Sequence, residues 1–149
     1  MGRRRPQGRF GVVVSLYNTF VTRRLLEGCL SAFRQNGIPR HRIDVVWVPG
    51  AFEIPFACQS ILHRRRYRAL VALGAVIKGE TPHFEYVSSA AADGILRVSL
   101  DERVPIAFGV VTALNRRQAL ERSGRKENRG REAAESALQM TELFGGKRR

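Results

Sequence analysis

The chain has little that would serve metal, redox or membrane chemistry. Its two cysteines, Cys29 and Cys58, stand far apart in apolar settings, Glu-Gly-Cys-Leu and Phe-Ala-Cys-Gln. That is neither a redox pair nor a metal cluster, and both read as buried reduced thiols. His41, His63 and His83 are not spaced with cysteines or carboxylates as metal ligands are. No apolar run approaches the roughly 20 residues that a membrane helix needs. The start, Met1-Gly2-Arg3-Arg4-Arg5-Pro6, carries charge without the hydrophobic segment of a signal peptide. Gly74 to Gly79 lacks the Lys-Ser/Thr of a phosphate loop, and no dinucleotide glycine fingerprint occurs. There is no internal repeat and no low-complexity linker. The expectation is one cytoplasmic domain over residues 1–149, with basic ends (1–9 and 145–149) that are flexible or interfacial.

Acidic residues are also scarce. Asp and Glu number 13 against 26 Lys and Arg, for a net charge of +13. Such a surplus invites a nucleic-acid reading. Six of the cations (Arg3, Arg4, Arg5, Lys147, Arg148, Arg149) sit at the ends, which leaves +7 for the rest. The remaining cations are scattered, apart from the run His63-Arg64-Arg65-Arg66-Tyr67-Arg68 before an apolar segment. No RNA-recognition aromatic pattern, zinc spacing or helix-turn-helix pattern accompanies them. The surplus therefore reads as solvated surface or as a site for a small anion, and nucleic acid is not the expected partner.

What is present is an alternation of short β-branched runs with longer amphipathic stretches. Phe10–Leu16, Ile43–Val48, Ala69–Ile77 and Pro105–Val111 read as strands, the first and third apolar throughout as in a sheet covered on both faces. Helical spacing appears over Val21–Asn36, Glu53–His63, Tyr86–Leu100, Arg116–Arg122 and Arg131–Phe144. Strands alternating with helices imply parallel pairing through right-handed crossovers. The fold class expected is α/β, a three-layer α/β/α sandwich around a flavodoxin-like parallel sheet of about four strands.

In such sheets ligands bind beyond the carboxyl ends of the strands. The residues there are Tyr17-Asn18-Thr19, Pro49-Gly50-Ala51-Phe52-Glu53, Lys78-Gly79-Glu80-Thr81-Pro82-His83 and Thr112-Ala113-Leu114-Asn115. Tyr17 and Phe52 can stack on a planar ring or cap the core. Glu53 can complement a helix dipole or accept hydrogen bonds from a polyol. Gly79-Glu80-Thr81 precedes a helix, where backbone N–H groups favour anions. His83 is of the type that exchanges protons near neutral pH, though a lone histidine is often structural. Arg122 would match a phosphate bidentately if it folded back onto the site. From the residues alone the chain reads as a small enzyme for a phosphorylated, ring-containing or polyol substrate, without a bound cofactor.

From Phe10 to Met140 the chain resembles the lumazine synthase family. The resemblance rests on VVVSLYNTFVTRRLLEG, DVVWVPGAFEIPFA, ALGAVIKGETPHFEYV, VPIAFGVVT, QALERSG and NRGREAAESAL, in that order and spacing. It implies the penultimate step of riboflavin biosynthesis. There 5-amino-6-(D-ribitylamino)uracil condenses with 3,4-dihydroxy-2-butanone 4-phosphate to 6,7-dimethyl-8-ribityllumazine, with no metal or organic cofactor. It further implies that Tyr17 stacks on the pyrimidine with Asn18 beside it. Ala51, Phe52 and Glu53 would hold the pyrimidine and ribityl chain, and the backbone of Ala75, Val76 and Ile77 would contact the pyrimidine. Glu80 and Thr81 would bind the four-carbon phosphate, with His83 as proton donor. Phe108 and Arg122 would be contributed by a neighbouring subunit, Arg122 to the phosphate. Tyr17 stands where the family commonly has phenylalanine, and Leu16 where it often has arginine.

The family builds rings of five subunits, and some members join twelve rings into a hollow shell. The stretch Ser123-Gly124-Arg125-Lys126-Glu127-Asn128-Arg129-Gly130 is one residue shorter than that of shell-forming relatives. A free pentamer or a pair of pentamers is expected. The competing reading is a flavin- or lumazine-binding storage protein of the same fold with weak catalysis.

Overall fold

A computed structural model describes residues 8–145, so most of both basic ends lies outside the described residues. The apolar run at the start forms β1 (Phe10–Ser15), buried along its whole length. Its residues alternate between two cores: Phe10, Val12 and Val14 belong to one, Val13 to the other. A strand that faces apolar helices on both sides has no position left for polar side chains, hence the unbroken run. β2 (Ile43–Val48), β3 (Ala69–Ile77) and β4 (Ile106–Ala113) complete a sheet of order β2-β1-β3-β4. Every pairing is parallel.

The helices are α1 (Thr19–Gln35), α2 (Ile54–Arg64), α3 (His83–Glu102), α4 (Arg116–Glu121) and α5 (Arg129–Phe144). α1, α5 and Ala119 of α4 cover one face, with Leu25, Cys29, Phe33, Ala134 and Ala137 at the centre of that core. α2 and α3 cover the other, around Ile54, Cys58, Ala91 and Ile95. This is the expected three-layer α/β/α sandwich with a flavodoxin-like sheet. α1 and α5 approach each other through glycines: a Cβ on Gly130 would collide with the backbone of Leu25, and one on Gly28 with the side chain of Asn128. Burial pushes both thiols up, Cys58 to about 12.

Several ends differ from the sequence expectation, each for a local reason. α3 starts at His83 rather than Tyr86, because Pro82 (φ −70°) leads straight into the first turn. β4 continues past Val111 to Ala113, held by pairing of Val76 with Thr112 and Ile77 with Ala113. α1 begins at Thr19, since the Asn18 carbonyl already accepts from the N–H groups of Val21 and Thr22. α5 begins at Arg129 rather than Arg131: Asn128 caps it, its Oδ1 accepting from the Arg131 N–H at 3.0 Å. A 3₁₀ turn, Ala51–Glu53, precedes α2.

At the amino ends of the strands, Asp44 accepts from Arg9 Nη2 (2.6 Å), Tyr67 Oη (2.6 Å) and Arg65 Nη1 (2.9 Å). The hydrogen bond from Arg9 does most to hold the Asp44 carboxyl well below the usual carboxylate range. Burial, then the bond to Asp44, pushes the Tyr67 phenol up to about 12.

Candidate active site

The chain leaves β1 in a conformation that ties three strands together. Leu16 N–H donates to Val48 O (2.7 Å) and Tyr17 N–H to Pro49 O (2.9 Å), extending the β1–β2 pairing by one step. Asn18 then adopts a left-handed backbone (φ 63°, ψ 46°), which asparagine tolerates better than most residues. Its Nδ2 donates to Ala75 O at 2.9 Å, so one of its two amide N–H groups is committed to the end of β3. Tyr17 is two-thirds exposed, with its ring lying over Gly50. A Cβ at Gly50 would come within 2.7 Å of Tyr17 Cδ2, so glycine is what lets the ring settle there.

Glu53 reaches the same glycine. Its Oε2 accepts from Gly50 N–H at 3.0 Å while its own N–H donates to Gly50 O at 3.2 Å. Both readings of Glu53 thus have substance: it closes the turn before α2, and its exposed carboxylate keeps Oε1 without a hydrogen bond among the described residues. Phe52 projects beside it, 63% exposed. Ala51 is buried, so that position can offer a ligand only its backbone.

The same limit applies at the end of β3. The side chains of Ala75 and Val76 are buried and that of Ile77 half-buried. Of their backbone groups, the Ala75 carbonyl is already engaged by Asn18. Beyond the strand, Lys78 N–H donates to Ala113 O (2.9 Å), which fixes the loop against the end of β4. Glu80, Thr81 and His83 are all exposed, with Thr81 Oγ1 3.5 Å from the His83 N–H.

Two expected residues stand apart from this cluster. Phe108 lies on the edge strand β4, opposite Ala72 and half-exposed. At about 3.3 Å per residue it is roughly 16 Å short of the strand end at Ala113. Arg122 folds back on its own helix instead of onto the site, its Nη1 3.4 Å from Gln118 O. No described contact joins either residue to Tyr17 or Glu53. Two cavities of about 350 and 420 Å³ open elsewhere, and none of the expected site residues lines them.

Sequence reasoning passed over three contributors. Gly50 is the pivot shared by Tyr17 and Glu53. Ser15, the last residue of β1, is fully buried, its Oγ without a hydrogen-bond partner among the described residues; a hydroxyl ending an apolar run was the visible signal. Gln118 Oε1 accepts from Leu114 N–H (2.8 Å) while Asn115 Oδ1 accepts from Gln118 N–H (2.9 Å), pinning the exit of β4. The Asn-x-x-Gln spacing is that of a helix-capping box.

The family model described as 6,7-dimethyl-8-ribityllumazine synthase matches residues 7–145, a span that takes in every strand and helix described above. The chain belongs to the lumazine synthase family. With membership come small-molecule substrates and a transferase-type activity in riboflavin biosynthesis. Among the described residues no group of His, Cys, Asp and Glu could hold a metal ion, and no helix is long and apolar enough to cross a membrane.

Proposed function

We propose that this chain is a lumazine synthase that condenses 5-amino-6-(D-ribitylamino)uracil with 3,4-dihydroxy-2-butanone 4-phosphate. The observation that carries the reading is the meeting of Tyr17 and Glu53 on Gly50, a stacking ring and a polyol-binding carboxylate side by side. The pyrimidine lies on Tyr17, beside Phe52 and against the backbone of Ala51, Val76 and Ile77. Glu53 Oε1 accepts from ribityl hydroxyls while Gly50 N–H keeps the carboxylate in place. Asn18 acts chiefly by positioning, since its amide holds the β3 end. Glu80 and Thr81 take the four-carbon phosphate at the start of α3, where backbone N–H groups favour anions.

The amine of the pyrimidine attacks the ketone, and loss of one water gives an imine. His83 moves the proton that lets phosphate leave, and ring closure with loss of a second water completes the lumazine. The substrates are reactive, so holding them together and supplying one acid–base group suffices.

Phe108 and Arg122 serve a neighbour's site, which accounts for their distance from Tyr17 in their own subunit. The working form is then a pentamer or a pair of pentamers. The second reading, storage of a flavin or lumazine, draws on Leu16 and Tyr17, which depart from the commoner arginine and phenylalanine.

Mixing the protein with both substrates while following lumazine absorbance and phosphate release tests the proposal. Product should form well above the spontaneous rate, and His83→Ala should lower kcat about 100-fold, the lower end of what positioned acid–base groups contribute. An unchanged kcat removes His83 from proton transfer. Tight riboflavin binding without turnover favours storage.

A further inference from the structure

The run His63–Arg68 has no part in the strand-end site. It lies at the opposite end of the sheet, spanning the last two residues of α2 and the connection to β3. At about 3.3 Å per residue, β3 alone separates the two ends by roughly 26 Å. There Leu62, His63, Arg64, Arg65, Arg66 and Tyr67 line an open cavity of about 350 Å³ together with Glu102, the last residue of α3, and Val104 just beyond it. That volume falls within the range of small-molecule pockets.

The acids around this cavity are already engaged. Glu102 Oε1 takes His63 Nε2 at 2.7 Å and Gln59 Nε2 at 3.3 Å. Asp44 is shared among Arg9, Arg65 and Tyr67. Arg65 gives one of its five N–H groups to Asp44 and has others to offer. Arg64 and Arg66 are exposed and carry no hydrogen bond or ion pair among the described residues. Three arginines thus line one concavity whose single carboxylate, Glu102, is occupied, an arrangement suited to a multiply charged oxyanion.

We infer that this cavity is a second anion site, distinct from the substrate site, for a small molecule bearing a diphosphate or two neighbouring phosphates. A single-stranded nucleic acid fits less well. The one aromatic residue in the lining, Tyr67, is buried with its hydroxyl on Asp44, so no ring is free to stack on a base. The inference stands on the cavity alone and does not depend on the reaction proposed at the other end.

Inorganic pyrophosphate is the probe, titrated calorimetrically into the full chain at physiological ionic strength. Arg122 lies outside the lining, so the Arg122→Ala protein, weakened at the phosphate position of the proposed substrate site, should keep the binding event of this cavity. The double variant Arg64→Gln/Arg66→Gln should bind about tenfold more weakly or worse, about 1.4 kcal/mol or more. Both side chains are exposed and have no partner among the described residues, so thermal melts of the double variant should overlay those of the parent, and its lumazine formation should equal the parent's. Equal affinity in the double variant overturns the assignment, as does absence of binding up to about 1 mM. Capture of a single-stranded RNA oligomer that the double variant loses, with no pyrophosphate binding, would replace the small molecule with nucleic acid.

Discussion

Single residues carry unlike loads at the two ends of the strands. Asn18 joins β1 to β3 with its amide while its left-handed backbone starts α1, so its contribution to a site is mostly architectural. Among the described residues the Arg122 side chain makes one long contact, to Gln118 O at 3.4 Å, and under the proposed function it turns toward a phosphate. Arg122→Ala should therefore raise KM for the phosphorylated substrate about tenfold or more, the scale of one charge-assisted hydrogen bond, while KM for the pyrimidine hardly moves. Steady-state kinetics with each substrate varied in turn checks this, and equal effects on both would speak against a phosphate contact. Asp44 contributes acid-sensitive stability. Its folded pKa lies below the unfolded value near 4, so its contribution is complete above that pH and is lost as pH falls below it toward the folded pKa. Asp44→Asn should cost about 1–3 kcal/mol at pH 7, and its melting temperature should converge on the parent's as pH is lowered from 5 toward 2.

Elements in this chain were legible where periodicity alone sets them. β2 and β3 begin and end where the sequence places them; for β3 the reason is an apolar run covered on both faces, which admits nothing else. The ends of α1, α3 and α5 were not legible to the residue. They depend on Asn18, Pro82 and Asn128 acting as starts, and whether an asparagine caps a helix depends on backbone angles that tertiary contacts select. The site shows the same division. Tyr17, Glu53 and the Glu80–His83 loop follow from strand ends, whereas Gly50 as their pivot and Gln118 as a brace depend on contacts between elements. The α1–α5 seam gives a test at this scale. Gly130→Ala would drive a methyl group into the Leu25 backbone, where no side chain can yield. A loss of about 3 kcal/mol or failure to fold is expected, measured by urea unfolding, and full stability would show that the two helices can move apart.

The whole molecule divides its labour along the strand direction. Chemistry-bearing loops gather at the carboxyl ends, arginine ties and an open basic cavity at the amino ends, with two cores between them. Edge strand β4 leaves Phe108 half-exposed although Val110, two residues on, is buried. Light scattering should give a mass of five or ten chains, in keeping with the short stretch between Arg122 and Arg129. A mass near sixty chains would overturn the reading drawn from that stretch. The two cores also determine what a chemist can do with this protein. Both of its cysteines are sealed inside them, one per core, with thiols too weakly acidic to form appreciable thiolate at neutral pH. A single cysteine introduced on the solvent side of α5, at Ser136, would be the only one open to a maleimide dye. Donor- and acceptor-labelled batches, once mixed, would then report subunit exchange in real time without removal of either native thiol.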